Sequence, residues 1–134
     1  MYHRTPLHYA CEKGFFFSIL YLLEKWNEID IADTEGNTPL AICLKNRNLN
    51  QAAMLIKKGV HHGWVMEEGH KYSYVQYALK TLPVGICFML IDHGYPLEKA
   101  LEEAQDFRQV LLKKYSKWSV VLLLVDLIFF TSYI

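Results

Sequence analysis

The sequence predicts an all-α fold: a solenoid of short helix pairs followed by an apolar helix at its C-terminal end. Three observations predict it. A Thr-Pro-Leu triplet occurs twice, as Thr5-Pro6-Leu7 and Thr38-Pro39-Leu40, an offset of 33 residues. Apolar residues follow each triplet at matching places, Ile19 and Leu22-Leu23 in one copy and Ala52 and Leu55-Ile56 in the other. From Trp118 to Ile134 Asp126 is the only charge. Self-similarity at a fixed period of this size means stacked supersecondary units, none of which can bury its apolar face alone.

Bulk properties narrow the class. The 134 residues suit one domain, and a composition 52% hydrophobic and 21% charged excludes intrinsic disorder. Fourteen basic and fourteen acidic side chains cancel, so no global field draws the chain to nucleic acid. Cys11, Cys43 and Cys87 are scattered, without a CxxC pair. That pattern fits a reducing, cytosolic setting better than a disulfide framework. The opening residues show no basic stretch followed by an apolar run, the mark of a secretory signal.

The first unit, about 1–32, holds two helices, roughly 5–14 and 18–25. Thr5 supplies a capping oxygen, and Pro6 costs nothing at a position whose N–H would go unpaired. His8 is expected to bond back to the Thr5 hydroxyl. The expected buried set is Leu7, Ala10, Cys11, Ile19, Leu22 and Leu23. Phe15-Phe16-Phe17 joins the two helices and offers an apolar patch to a neighbouring unit or a partner. The second unit, about 33–66, opens on the turn Asp33-Thr34-Glu35-Gly36-Asn37, where Gly36 takes positive φ. Its second helix ends at Lys57-Lys58-Gly59. In the third unit, about 67–95, Ser73-Tyr74-Val75-Gln76-Tyr77-Ala78 stands where Thr5 to Ala10 stood, with two extra residues in the leading turn. Cys87, Leu90-Ile91 and Gly94 keep the register.

Residues 96–117 read as one capping or linker helix, or a degenerate fourth unit. Pro96-Leu97-Glu98 opens it and Lys113, Lys114 and Lys117 close it, matching the helix dipole. Leu97, Leu101, Ala104, Val110 and Leu111 are expected to face the stack. The segment 118–134 has two readings. As a helix it would be about 25 Å long, a little short of a hydrocarbon core of about 30 Å. Trp118 and Tyr133 sit at its ends like interface aromatics, and the preceding lysines would keep the repeats cytoplasmic. Asp126 costs insertion about 2.5–3.5 kcal/mol. The competing reading is a helix packed on the repeats.

Thr-Pro-Leu-His-x-Ala at 5–10 and Asp-x-x-Gly-x-Thr-Pro-Leu at 33–40 resemble the ankyrin repeat family, over residues 1–95. Ala41 departs from the family's usual His, the third unit lacks Thr-Pro, and Arg47 and Leu82 stand where the family often has Gly. The resemblance implies L-shaped units of two helices with a projecting hairpin or loop. It also implies partner binding by loop tips and the inner-helix surface: Thr34, Glu35 and Asn37 at one tip, and Glu12, Lys13, Lys45 and Asn46 beside it. Both ends read as cut, and repeats followed by a linker and an apolar span are similar in layout to transient receptor potential channels, ankyrin-bearing potassium channels and palmitoyl transferases. An N-terminal cytoplasmic fragment of such a membrane protein is the alternative to an interaction scaffold.

Other constellations point away from catalysis. His61-His62 and His70 flank Glu67-Glu68, but the spacing matches no closed metal site and reads as a polar loop. The cysteines occupy inward positions as small hydrophobes. Glu102, Glu103 and Asp106 read as a solvated helix face. No glycine-rich phosphate loop occurs. The expectation is therefore a protein-binding scaffold with protein partners, no nucleic acid, no cofactor, no metal and no catalytic residue, tethered to a membrane through Trp118–Ile134.

Overall fold

A computed structural model describes residues 3–60, 62–105 and 108–114 of the chain. The segment Trp118–Ile134 lies outside the described residues, as do His61, Asp106 and Lys117. Among the described residues eight helices and one hairpin follow in order: α1 (Pro6–Lys13), α2 (Phe16–Lys25), α3 (Pro39–Lys45), α4 (Leu49–Lys57), β1 (Val65–Glu67), β2 (His70–Tyr72), α5 (Tyr74–Thr81), α6 (Val84–Asp92), α7 (Leu97–Glu103) and α8 (Arg108–Lys114). The pairs α1/α2, α3/α4 and α5/α6 each pack internally, and α3 lies on α1, α4 on α2, α6 on α4, and α7 on α5. The core runs through the stack as one cluster, from Leu7 and Ile19 through Leu40, Leu44 and Leu55 to Val75, Leu90 and Leu111.

The helix starts share one construction. Thr5, Thr38 and Ser73 all hold extended backbone at the N-cap, with φ near −81°, −80° and −68°. Thr38 Oγ1 accepts from Ala41 N–H at 3.2 Å, and Ser73 Oγ from Gln76 N–H at 3.0 Å. Ser73 thus does in the third unit what the two threonines do before it. Helix ends also repeat. Gly14 closes α1 at φ 73°, and Arg47, 33 places on, follows α3 at φ 57°. That conformation strains a side chain with a Cβ. Arg47 places its guanidinium against the Thr81 carbonyl at 2.6 Å, a link to the third unit that glycine could not make.

Several expectations need correction. Among the described residues the fold is helical except for the β1–β2 hairpin, paired antiparallel with Val65 opposite Tyr72. Glu68 and Gly69, both at positive φ, make its two-residue turn. The segment read as a polar loop therefore has strand structure, and its Val65 is fully buried. Phe16 and Phe17 belong to the first turn of α2, because the left-handed Gly14 ends α1 at once. Leu22 is half-buried, while Leu7, Ala10, Cys11, Ile19 and Leu23 are core. Residues 96–117 are not one helix: Ala104 leaves helical geometry at φ −120°, ψ 55°, and α8 starts afresh. The break follows α7, which packs on α5. It leaves Ala100, Ala104 and Leu111 buried, but Val110 is 44% exposed.

Tyr74 occupies the place that proline holds in the first two units. Its hydroxyl takes a short hydrogen bond from Thr38 Oγ1 and donates to the His62 carbonyl at 3.0 Å. The chain passes this buried junction at Gly63, φ 127°, where a Cβ would lie 2.4 Å from the Tyr74 hydroxyl.

Two stability predictions follow from this packing. Leu55→Ala, at a site with no exposure, should cost about 2–5 kcal/mol in urea unfolding, and half-buried Leu22→Ala about 1–2 kcal/mol. Gly63→Ala should cost about 1–3 kcal/mol from its positive φ and the clash with Tyr74. A loss below about 0.5 kcal/mol at either Leu55 or Gly63 would contradict this packing.

Candidate functional site

A polar relay organises the junction between the first two units. His8 is fully buried. Its Nδ1 accepts from the Thr5 N–H at 3.0 Å and faces the Thr5 hydroxyl at 2.9 Å. Its Nε2–H donates to the Asn37 carbonyl at 3.0 Å, which fixes the neutral tautomer. Asp33 Oδ1 accepts from the Glu35 and Asn37 N–H groups, each at 2.9 Å, and so shapes the turn around Gly36. Asn37 Oδ1 then accepts from Met66 N–H at 2.8 Å, tying the turn to β1. Arg4 joins the relay from outside. Its Nε donates to Asp33 Oδ2 at 3.3 Å and its other arm pairs with Glu12 Oε2 at 3.0 Å.

Asn37 is thus not a surface contact. It is 1% exposed: its carbonyl holds His8, its side-chain oxygen holds Met66, and its N–H closes the turn on Asp33. Such burial is tolerable because its carbonyl, N–H and side-chain oxygen are paired. Thr34 and Glu35 are exposed at the turn, as are Glu12, Lys13 and Asn46 on or beside the inner helices. The structure brings Glu12, Glu35, Asn37, Lys45 and Asn46 to one polar depression of about 170 Å³, with Arg4 and Ile42 completing it. Lys45 Nζ donates to the Met66 carbonyl at 2.8 Å, so this ammonium pins the hairpin at the rim. Asn46 Nδ2 reaches the Glu12 carbonyl at 3.4 Å. Thr34 stands apart at the tip, and Lys13 faces a different, apolar groove.

Sequence reasoning missed Arg4 and Ile42 in this depression. The one signal for Arg4 was its place before the first Thr-Pro, one residue outside a helix start. The hairpin's approach through Met66 had no signal, because it depends on a side-chain acceptor 29 residues away.

Two of the thiols stay protonated. The Cys11 contact and burial push Cys43 far up, and burial pushes Cys87 up to about 11. Such cysteines pack as small hydrophobes rather than act as nucleophiles. Among the described residues no group of three His, Cys, Asp or Glu side chains is placed to hold a metal ion. No helix among them is long and apolar enough to cross a membrane. Glu103 accepts a short hydrogen bond from the Tyr95 hydroxyl, so one of the carboxylates read as solvated has a structural partner.

Residues 2–65 match the family described as ankyrin repeats (3 copies). By that match this region is similar to ankyrin repeats, a type that implies protein–protein interaction and is typically non-catalytic. Over 56 residues, 42% of this chain, it is 30% identical to the target of rapamycin complex 2 subunit AVO2 of Saccharomyces cerevisiae. The match spans 13% of that yeast protein's length, so the likeness reaches only a small part of it.

Desolvation holds the His8 pKa below its ordinary value of 6.5, against the raising effects of the Asn37 carbonyl and Asp33. The folded state therefore binds this proton less readily than the unfolded chain. The contribution is complete above about pH 6.5 and declines as pH falls towards the depressed folded value. Urea midpoints should be flat from about pH 8 to 7 and fall as the pH drops below about 6.5. His8→Gln should flatten that fall; an unchanged slope would remove His8 as its source.

Proposed function

We propose that this chain is a protein–protein interaction scaffold whose contact surface centres on the polar depression between its first two units. The observation that carries this reading is the convergence of Glu12, Glu35, Lys45 and Asn46 on one rim, set on rigid inner helices and a pinned hairpin. Opposite charges and amide groups at fixed positions select a partner by complementarity and need no cofactor. Thr34 extends the surface at the turn tip, while Lys13 faces a separate, apolar groove. The repeat type supports the same reading. So does the yeast relative, whose name makes it a subunit of a multiprotein complex; by that analogy this chain serves as an assembly subunit. The balanced charge of the sequence argues for a protein partner over nucleic acid.

The proposal includes a membrane tether. Its support is composition: 17 residues from Trp118 to Ile134 with Asp126 as the sole charge, preceded by Lys113, Lys114 and Lys117. This polarity would keep the repeats on the cytoplasmic side.

Two measurements test these parts separately. In quantitative cross-linking, a Glu12→Lys, Glu35→Lys double variant should lose the partners that the unaltered chain retains, while Lys58→Glu on an outer helix should keep them. Equal losses in both would remove the depression as the contact surface. In liposome flotation, the full chain should rise with the vesicles and a chain ending at Lys117 should not. Equal behaviour of the two would end the tether reading.

A further inference from the structure

Among the described residues, the first helix pair has packed neighbours on one side. Its α3/α4 side is packed, while the opposite side leaves a groove of about 770 Å³ between α1 and α2. Pro6, Tyr9 and Ala10 form the α1 wall, and Phe17, Tyr21 and Leu22 the α2 wall. These positions recur at three- and four-residue spacing, so each wall is one helix stripe. Tyr9 is 51% exposed, Phe15 58%, Phe17 80% and Tyr21 60%. These four leave roughly 500 Å² in water, at about 150–250 Å² per aromatic side chain. That lies in the upper part of the range of about 300–600 Å² for the largest patch on a monomer.

Shape and charge specify an occupant. A two-residue link joins α1 to α2, so the helices run antiparallel and the groove between them is about 10–12 Å long. What covers the other side of the same pair is helix, and a helix fits a trough between two helix stripes. The charged side chains at the groove are cationic. Lys13 and Arg4 line it, and Lys25 Nζ lies 5.8 Å from the centroid of the Tyr21 ring. The antiparallel course puts Lys13 at one end, with Lys25 and Arg4 at the other. Among the described residues lining the groove there is no carboxylate. Arg4 already pairs with Glu12 and Asp33, so Lys13 and Lys25 carry the uncompensated charge.

We infer that this groove is a second docking surface, one that takes an amphipathic helix of a partner protein with an apolar i, i+3/i+4, i+7 stripe and carboxylates at both ends. The inference rests on the interaction-scaffold reading and adds to it a recognition mode distinct from the polar depression. The aromatic floor supplies buried area, and the two lysines set direction and exclude basic helices. Affinity therefore depends on salt, because the lysines are exposed.

The test uses the full chain and two side-chain-stapled helical peptides of about 14 residues with the same apolar stripe, one ending in glutamates and its twin in lysines. Fluorescence anisotropy should show the glutamate peptide binding at least about tenfold more tightly than its twin. Phe17→Ser and Tyr21→Ser should each weaken it about tenfold, with thermal melts unchanged because both side chains are exposed. Lys13→Glu with Lys25→Glu should invert the preference between the peptides. Equal binding of the two peptides, or no binding, overturns the inference. So does sedimentation showing that the groove is taken by a second copy, and so does loss of anionic-vesicle binding in the serine variants without any peptide effect. If the groove fails while the Glu12→Lys, Glu35→Lys variant still loses its partners, only this inference falls and the scaffold reading stands.

Discussion

A helix of eight to ten residues exposes too much of its own apolar stripe to persist in water, and a pair of them still has an open side. The rest of the structure depends on that constraint. Each pair here gains its core from the next, so stability passes along the stack as a chain of nearest-neighbour interfaces. Leu40 and Leu44 of α3 are wholly buried because α1 lies on one side and α4 on the other. Among the described residues the same constraint leaves the α1/α2 pair with a covered side and an open, aromatic one. Binding surface and packing surface are then the same kind of surface, differing only in whether this chain supplies the cover.

Apolar stacking alone sets no register, because oily surfaces slide. Directional polar bonds between units do that work. His8 of the first unit holds the carbonyl of Asn37, and Asn37 holds the hairpin of the next unit through Met66. Thr38 and Tyr74 repeat the arrangement one step on. Each bond is modest in net worth, but a buried polar atom left unpaired costs about 1–3 kcal/mol, so slipped registers are penalised several times over. The same bonds hold the turn, the inner helix and the hairpin rigid where their exposed side chains meet. The depression is positioned by buried groups that never touch a partner.

Departures from strict repetition are compensated locally. Arg47 accepts a left-handed backbone and gains a bond across to Thr81. Tyr74 replaces a proline and takes over a junction that needs Gly63 beside it. Ser73 with Gln76 rebuilds the cap that Thr-Pro supplies elsewhere. The third unit therefore keeps the architecture with almost none of the signature, since capping needs only a short side-chain oxygen and extended backbone.

The sequence by itself determined the capped starts of α1, α3 and α5, the 33-residue register, the inward set of Leu7, Ala10, Cys11, Ile19 and Leu23, and the turn at Gly36. All of these are written in local chemistry: caps, period and backbone freedom. It also named most of the residues around the depression, because repeat register places inner-helix ends beside turn tips. Only the tertiary structure decided that Asn37 faces inward, that 65–72 pairs into a hairpin against α3, and that the helix after Pro96 breaks at Ala104. Each of those turns on a partner distant in the chain: Met66 for Asn37, α3 for the hairpin, the face of α5 for α7. Periodicity and capping operate within a few residues, whereas the pairing of a buried polar atom is settled by whichever group packing brings within 3 Å.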